Sequence, residues 1–167
     1  MIHLRDLLAE ITLGSIAPYA TQFTWHEFLA NREFEFEADG QPIQFVFTRA
    51  HRDEWVFAMV APDRVDTRKW TVSHERSTAT GNINYLRLMR TAADAIRDFA
   101  AEYRPEAIDV TGSDTSSDAK DLQKTRIYKT LLAANTAELD AIGYVAKWGM
   151  GKLWLIRKQD FDATGIA

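Results

Sequence analysis

The chain has no cysteine, which excludes disulfides, thiolate zinc sites and a thiol nucleophile. It has no basic surplus either. The net charge of −4 argues against sequence-independent binding to nucleic acid, which needs an excess of lysine and arginine. No apolar run approaches the ~18 residues that a membrane span requires, so no membrane partner is expected. Met1–Ile11 carries Arg5, Asp6 and Glu10 with no apolar h-region, the opposite of a secretory leader, and the cytoplasm is the expected compartment. The four histidines, His3, His26, His51 and His74, share no i, i+4 spacing, so no metal site is expected.

What is present is enough to fold. The 167 residues fit one domain, and a 46% hydrophobic content with five tryptophans supplies a core. Leu4, Leu7, Leu8 and Ile11 have helical spacing, so Met1–Ile11 reads as a short amphipathic helix opening an N-terminal helical segment over residues 1–30; within it Phe23–Ala30 is ambiguous, with Trp25, Phe28 and Leu29 fitting one or two helical turns. Residues 33–75 read as an antiparallel meander. Glu33 to Glu37 alternates apolar with acidic, Asp39-Gly40 is a hairpin turn signal, and Ile43, Phe45 and Phe47 alternate again. Trp55–Val60 and Trp70–Glu75 read as a third and a fourth strand.

Residues 76–157 change period. Leu86, Met89, Ala93, Ile96, Ala100 and Tyr103 recur at 3.6-residue spacing and predict a helix over Gly81–Arg104, closed by Pro105. A short strand at Ala107–Val110, a polar loop at 112–119, a second long helix over Lys120–Ala141 capped by Gly143, and a hairpin over Val145–Arg157 follow. Residues 160–167 read as a frayed tail. The expected class is α+β: a mainly antiparallel twisted sheet with two long helices packed on it.

The residues that bear chemistry gather at the junction of strand and helix. In Arg76-Ser77-Thr78-Ala79-Thr80-Gly81 the small side chains let backbone N–H groups approach an anion, and a helix N-terminus adds partial positive charge, with Arg87 and Arg90 near by. The same residues read as an ordinary turn in which Gly81 supplies backbone freedom. His74 and Glu75 end the preceding strand on opposite faces, and either suits a general base or a solvated strand end. Tyr128 suits a general acid, or half-buried packing beside Leu131 and Leu132. Glu33, Glu35 and Glu37 form an acidic stripe that reads as a solvated face or as an attraction for a cationic partner. The tryptophans Trp25, Trp55, Trp70, Trp148 and Trp154 read as packing. The C-terminal hairpin, with Lys147, Lys152, Arg157 and Lys158, is the basic stretch.

The order of elements, with Arg76-x-x-Ala79-x-Gly81 and the pairing of Arg126-Ile127-Tyr128 with Gly143-Tyr144, resembles the GNAT superfamily of N-acetyltransferases. That resemblance implies a GNAT-like fold and acetyl-CoA as cofactor. Its pyrophosphate would be held by Arg76, Ala79, Thr80, Gly81 and Asn82 with help from Arg87. Glu75 or His74 would take the amine proton through water, and Tyr128 would protonate the leaving thiolate. Over more of its length the chain is similar to a group of small tailed-phage proteins. The shared pattern is an aromatic-rich meander (Glu33–His74), a long helix (Gly81–Arg104), a strand ending in Thr111-Gly112, and an Arg-x-Tyr helix closing in Gly143-Tyr144. This similarity implies a phage or prophage origin, a host or phage protein as partner, and the host cytoplasm as compartment. The reading drawn from both is an accessory protein that works by binding, with acetyl-CoA-dependent N-acetylation as the alternative.

Overall fold

A computed structural model describes residues 16–60, 84–110, 132, 135–149 and 152–160. Its elements in chain order are β1 (His26–Phe28), β2 (Asn31–Ala38), β3 (Gln41–His51), β4 (Glu54–Val60), α1 (Tyr85–Tyr103), β5 (Ala107–Asp109), α2 (Thr136–Ala141), β6 (Tyr144–Gly149) and β7 (Lys152–Arg157), with a 3-10 turn at Lys158–Asp160. The strands form one sheet in the order β1-β2-β3-β4-β5-β7-β6.

The meander forms for the reasons its sequence announces. In β2 and β3 the alternation puts Phe34, Phe36, Ile43, Phe45 and Phe47 on one face, with Phe34 opposite Phe45 and Phe36 opposite Ile43. Asp39 and Gly40 both take positive φ, 50° and 80°, the type I′ geometry that fits the strand twist. β4 runs antiparallel to β3 and aims Trp55, Phe57 and Met59 at the same face.

Against that face lies α1. Asn84 caps it, its Oδ1 accepting from the Arg87 N–H at 3.2 Å. Leu88, Met89, Ala92, Ile96 and Phe99 are buried against the sheet, and the rings of Phe47 and Phe99 stack with centroids 3.8 Å apart. Burying one such ring contributes roughly 1.5–3 kcal/mol, so this layer supplies much of the driving force. Arg104 ends the helix in the left-handed region (φ 54°) with its N–H on the Ala100 carbonyl. A smaller cluster of Ala107, Trp154 and Ile156, joined by Val145, occupies the opposite face at β5–β7.

Three expectations are corrected. The GNAT-like, mainly antiparallel sheet with two long helices is not what the chain builds. β4 and β5 pair in parallel, with Trp55 opposite Ile108, which makes the seven-stranded sheet mixed. Among the described residues there are two helices, and α1 is the long one. Nor does the second helix run unbroken to Ala141. Asn135 interrupts it (φ −102°, ψ 23°) and precedes the six-residue α2, as suits a residue of low helix propensity. The residues 120–131 assigned to that helix lie outside the described residues. Finally, the ambiguous Phe23–Ala30 is not helical: His26–Phe28 pairs with β2 as an edge strand, and Leu29-Ala30 form the turn between them. The predicted N-terminal helix at 1–11, the fourth strand at Trp70–Glu75, the loop at 112–119 and the tail from 161 also lie outside the described residues.

Candidate functional site

The parallel pair sets the geometry. β4 and β5 run the same way with α1 crossing between them, so their carboxyl ends lie at one end of the sheet, here called the upper end. The β2–β3 turn at Asp39-Gly40 and the first residue of β7, Lys152, are also at that end. The chain after Val60 and after Val110 departs from it, and ligands of parallel sheets bind at such strand ends. His74, Glu75, Arg76, Ala79, Thr80, Gly81 and Asn82 belong to the first departing segment and Tyr128 to the second. All eight lie outside the described residues.

Arg87 is the described member of the expected cofactor set, and it is engaged elsewhere. Its Nε donates to the Ala17 carbonyl at 3.0 Å, a second nitrogen reaches the Pro18 carbonyl at 3.5 Å, and its Cζ lies 4.1 Å from the centre of the Tyr19 ring. The guanidinium fastens the segment before β1 to the helix.

That segment brings together groups that the sequence did not single out. The Tyr19 hydroxyl donates to the Asp39 carboxylate and accepts from the Asn84 N–H at 2.8 Å, while the Tyr19 N–H donates to the Thr91 hydroxyl at 2.8 Å. The helix N-terminus therefore faces an internal carboxylate and phenol. Burial, and then the hydrogen bond to Asp39, raise the Tyr19 pKa above the ordinary tyrosine value. Across the sheet, buried Asp109 accepts from Lys152 Nζ at 3.0 Å. Among the described residues no group of three or more acidic or histidine side chains is placed to hold a metal ion. No helix among them is long and apolar enough to cross a membrane.

No family model, curated protein or solved structure matches this chain. The reading therefore rests on the residues themselves.

Of the basic residues in the C-terminal hairpin, three are bound to internal acceptors. Lys152 is on Asp109, Arg157 donates to the Arg104 carbonyl at 2.7 Å, and Lys158 pairs with Asp140. The opposite edge of the sheet differs. All three residues of β1 are exposed, Phe28 at 61%, and the turn after it presents Leu29 at 84% exposure. Leu29 also has φ 52° at the first position of a two-residue hairpin loop, where glycine is the usual occupant. On β2 next door, Glu35 and Glu37 are exposed and Glu33 is half-buried, taking a 3.0 Å hydrogen bond from Gln44. The acidic stripe is thus on the face away from α1. The signal for the tip was in the sequence as Phe28-Leu29, but a helical spacing with Trp25 concealed it.

Proposed function

We propose that this chain acts by binding a macromolecular partner, and that the β1–β2 tip is the part that touches it. Leu29 carries the proposal. A left-handed backbone costs an L-residue roughly 1–2 kcal/mol, and leaving a leucine in water forgoes roughly 1.5–3 kcal/mol of burial. A residue unfavourable on both counts in the free chain has its benefit in a complex. Phe28 beside it supplies aromatic area, the kind of anchor that dominates interfaces. The similarity to small tailed-phage proteins makes a phage or host protein the partner to seek.

The test is co-purification from infected or expressing cells at near-physiological salt, wild type against Leu29→Asp. A protein identified with the wild type and lost from an equally folded Leu29→Asp supports the reading. Failure to retain any partner, or equal retention by both, counts against it.

A second reading, acetyl transfer from acetyl-CoA to an amine, draws on the parallel β4–β5 pair, whose carboxyl ends are where small ligands bind in such sheets. A thermal shift with millimolar acetyl-CoA, abolished by Gly81→Glu, would support it by showing cofactor binding, because a ligand of the folded state raises stability. No shift would remove it.

A further inference from the structure

We infer that the partner segment is an extended strand that adds to the free edge of β1 and places a basic residue opposite Glu27. This rests on the binding reading above and names the chemistry of the occupant.

The edge is open and short. β1 pairs with β2 through His26–Glu33, Glu27–Arg32 and Phe28–Asn31, and among the described strands its other side ends the sheet. In a two-residue hairpin the closing pair, here Phe28–Asn31, exchanges both backbone hydrogen bonds. By the alternation of an antiparallel ladder, Glu27 then turns its N–H and C=O outward. An exposed edge is a template for another strand unless something blocks it. Among the described residues neither proline, nor lysine, nor a covering segment blocks this one, and every residue from His26 to Ala30 is exposed.

Charge selects the occupant. The Glu27 side chain is 70% exposed and sits at the centre of the edge, with Arg32 at 3.3 Å on its inner side. A second copy joined to β1 about a two-fold axis at Glu27 would set two carboxylates directly opposite, a destabilising pair. A lysine or arginine from another chain would instead complete an alternating row, Arg32–Glu27–cation. On the reverse face Phe28 offers its ring to an apolar neighbour, so the matching segment alternates apolar residues about a central basic one.

The purified full-length chain tests this with two capped nine-residue peptides. Both carry valine at the even positions and threonine elsewhere, with lysine at the centre of one and glutamate at the centre of the other. Amide resonance shifts are followed by titration. We expect shifts centred on Trp25–Ala30, with affinity for the lysine peptide at least tenfold the greater, and an inverted preference in Glu27→Lys. Equal affinities, shifts centred elsewhere, or no binding would overturn strand addition. So would a wild-type chain that sediments as a dimer and becomes monomeric in Leu29→Asp, which would assign the edge to a second copy. If the peptides fail while Leu29→Asp still loses its cellular partner, strand addition falls and the binding reading stands. If both fail, both fall.

Discussion

The two ends of the sheet are held in different ways. At the lower end, side chains are aimed at backbone carbonyls. Arg104 donates to the Ile142 carbonyl and lies over the Tyr144 ring, Tyr144 donates to the Pro105 carbonyl, and Arg157 donates to the Arg104 carbonyl. The Arg157 N–H on Glu106, the Glu106 N–H on Asp53 and the Lys158 N–H on Gly143 tie β4, β5, α2 and β7 into one knot. These bonds satisfy carbonyls that chain reversals and helix ends leave open. At the upper end a phenol bridges a turn and a helix cap, Lys152 pairs with buried Asp109, and the connections after Val60 and Val110 depart from there. The lower end is thus built for stability. The upper end is where the chain leaves the sheet, at the loop end of the parallel pair.

Breaking the knot should cost most. Tyr144→Ala removes a fully buried ring together with its hydrogen bond, and a loss of about 3–5 kcal/mol in chemical denaturation is expected. A loss below about 1 kcal/mol would show that the lower end is not the anchor. Gly143→Ala comes next. Gly143 has φ 82°, and an added Cβ would meet an Arg104 guanidinium nitrogen at 3.2 Å. A cost of about 1–2 kcal/mol follows from backbone strain, read as a melting point lower by about 2–8 °C.

Tyr19→Phe probes the upper end and should cost about 0.5–1.5 kcal/mol at neutral pH. Its pH dependence has a definite sign. The folded-state pKa is raised, so the contribution is whole below the unfolded tyrosine value near ~10 and is lost as pH rises through the higher folded value. The gap between wild type and Tyr19→Phe should hold steady from neutral pH and close under alkali. A gap that widens there would refute the arrangement. The smallest effect is a gain. Leu29→Gly relieves a positive φ but loosens the unfolded chain, so a net stabilisation of about 0.5 kcal/mol is expected, with partner binding lost. A destabilised Leu29→Gly would mean that the tip serves the free fold.

Where local chemistry decides structure, the sequence was legible. Alternation and Asp39-Gly40 announced β2 and β3, and the 3.6-residue stripe announced α1, although its start moves from Gly81 to the Asn84 cap. Gly143 was rightly read as a helix terminator. What escaped is non-local. No residue in β4 or β5 signals that they pair in parallel, because that partnership is set by the crossover through α1. β1 escaped because three exposed residues show no buried face to read. Asp109 escaped because a carboxylate in a three-residue strand looks like a strand end until its neighbours bury it. Of the expected site only Arg87 can be placed, and its guanidinium serves the chain before β1.

The pairing of Asp109 with Lys152 has a consequence for how the last hairpin finds its place. Asp109 faces Trp154 across the β5–β7 ladder, and Lys152 lies two residues before Trp154, on the same side of β7. Sliding β7 by one residue would carry Lys152 to the α1 side of the sheet and bring a leucine opposite the buried carboxylate. Parting a buried carboxylate from its cation is costly, so the misaligned hairpin is penalised in addition to its lost core contacts. The ion pair thus ties the alignment of β7 on β5 to a single register.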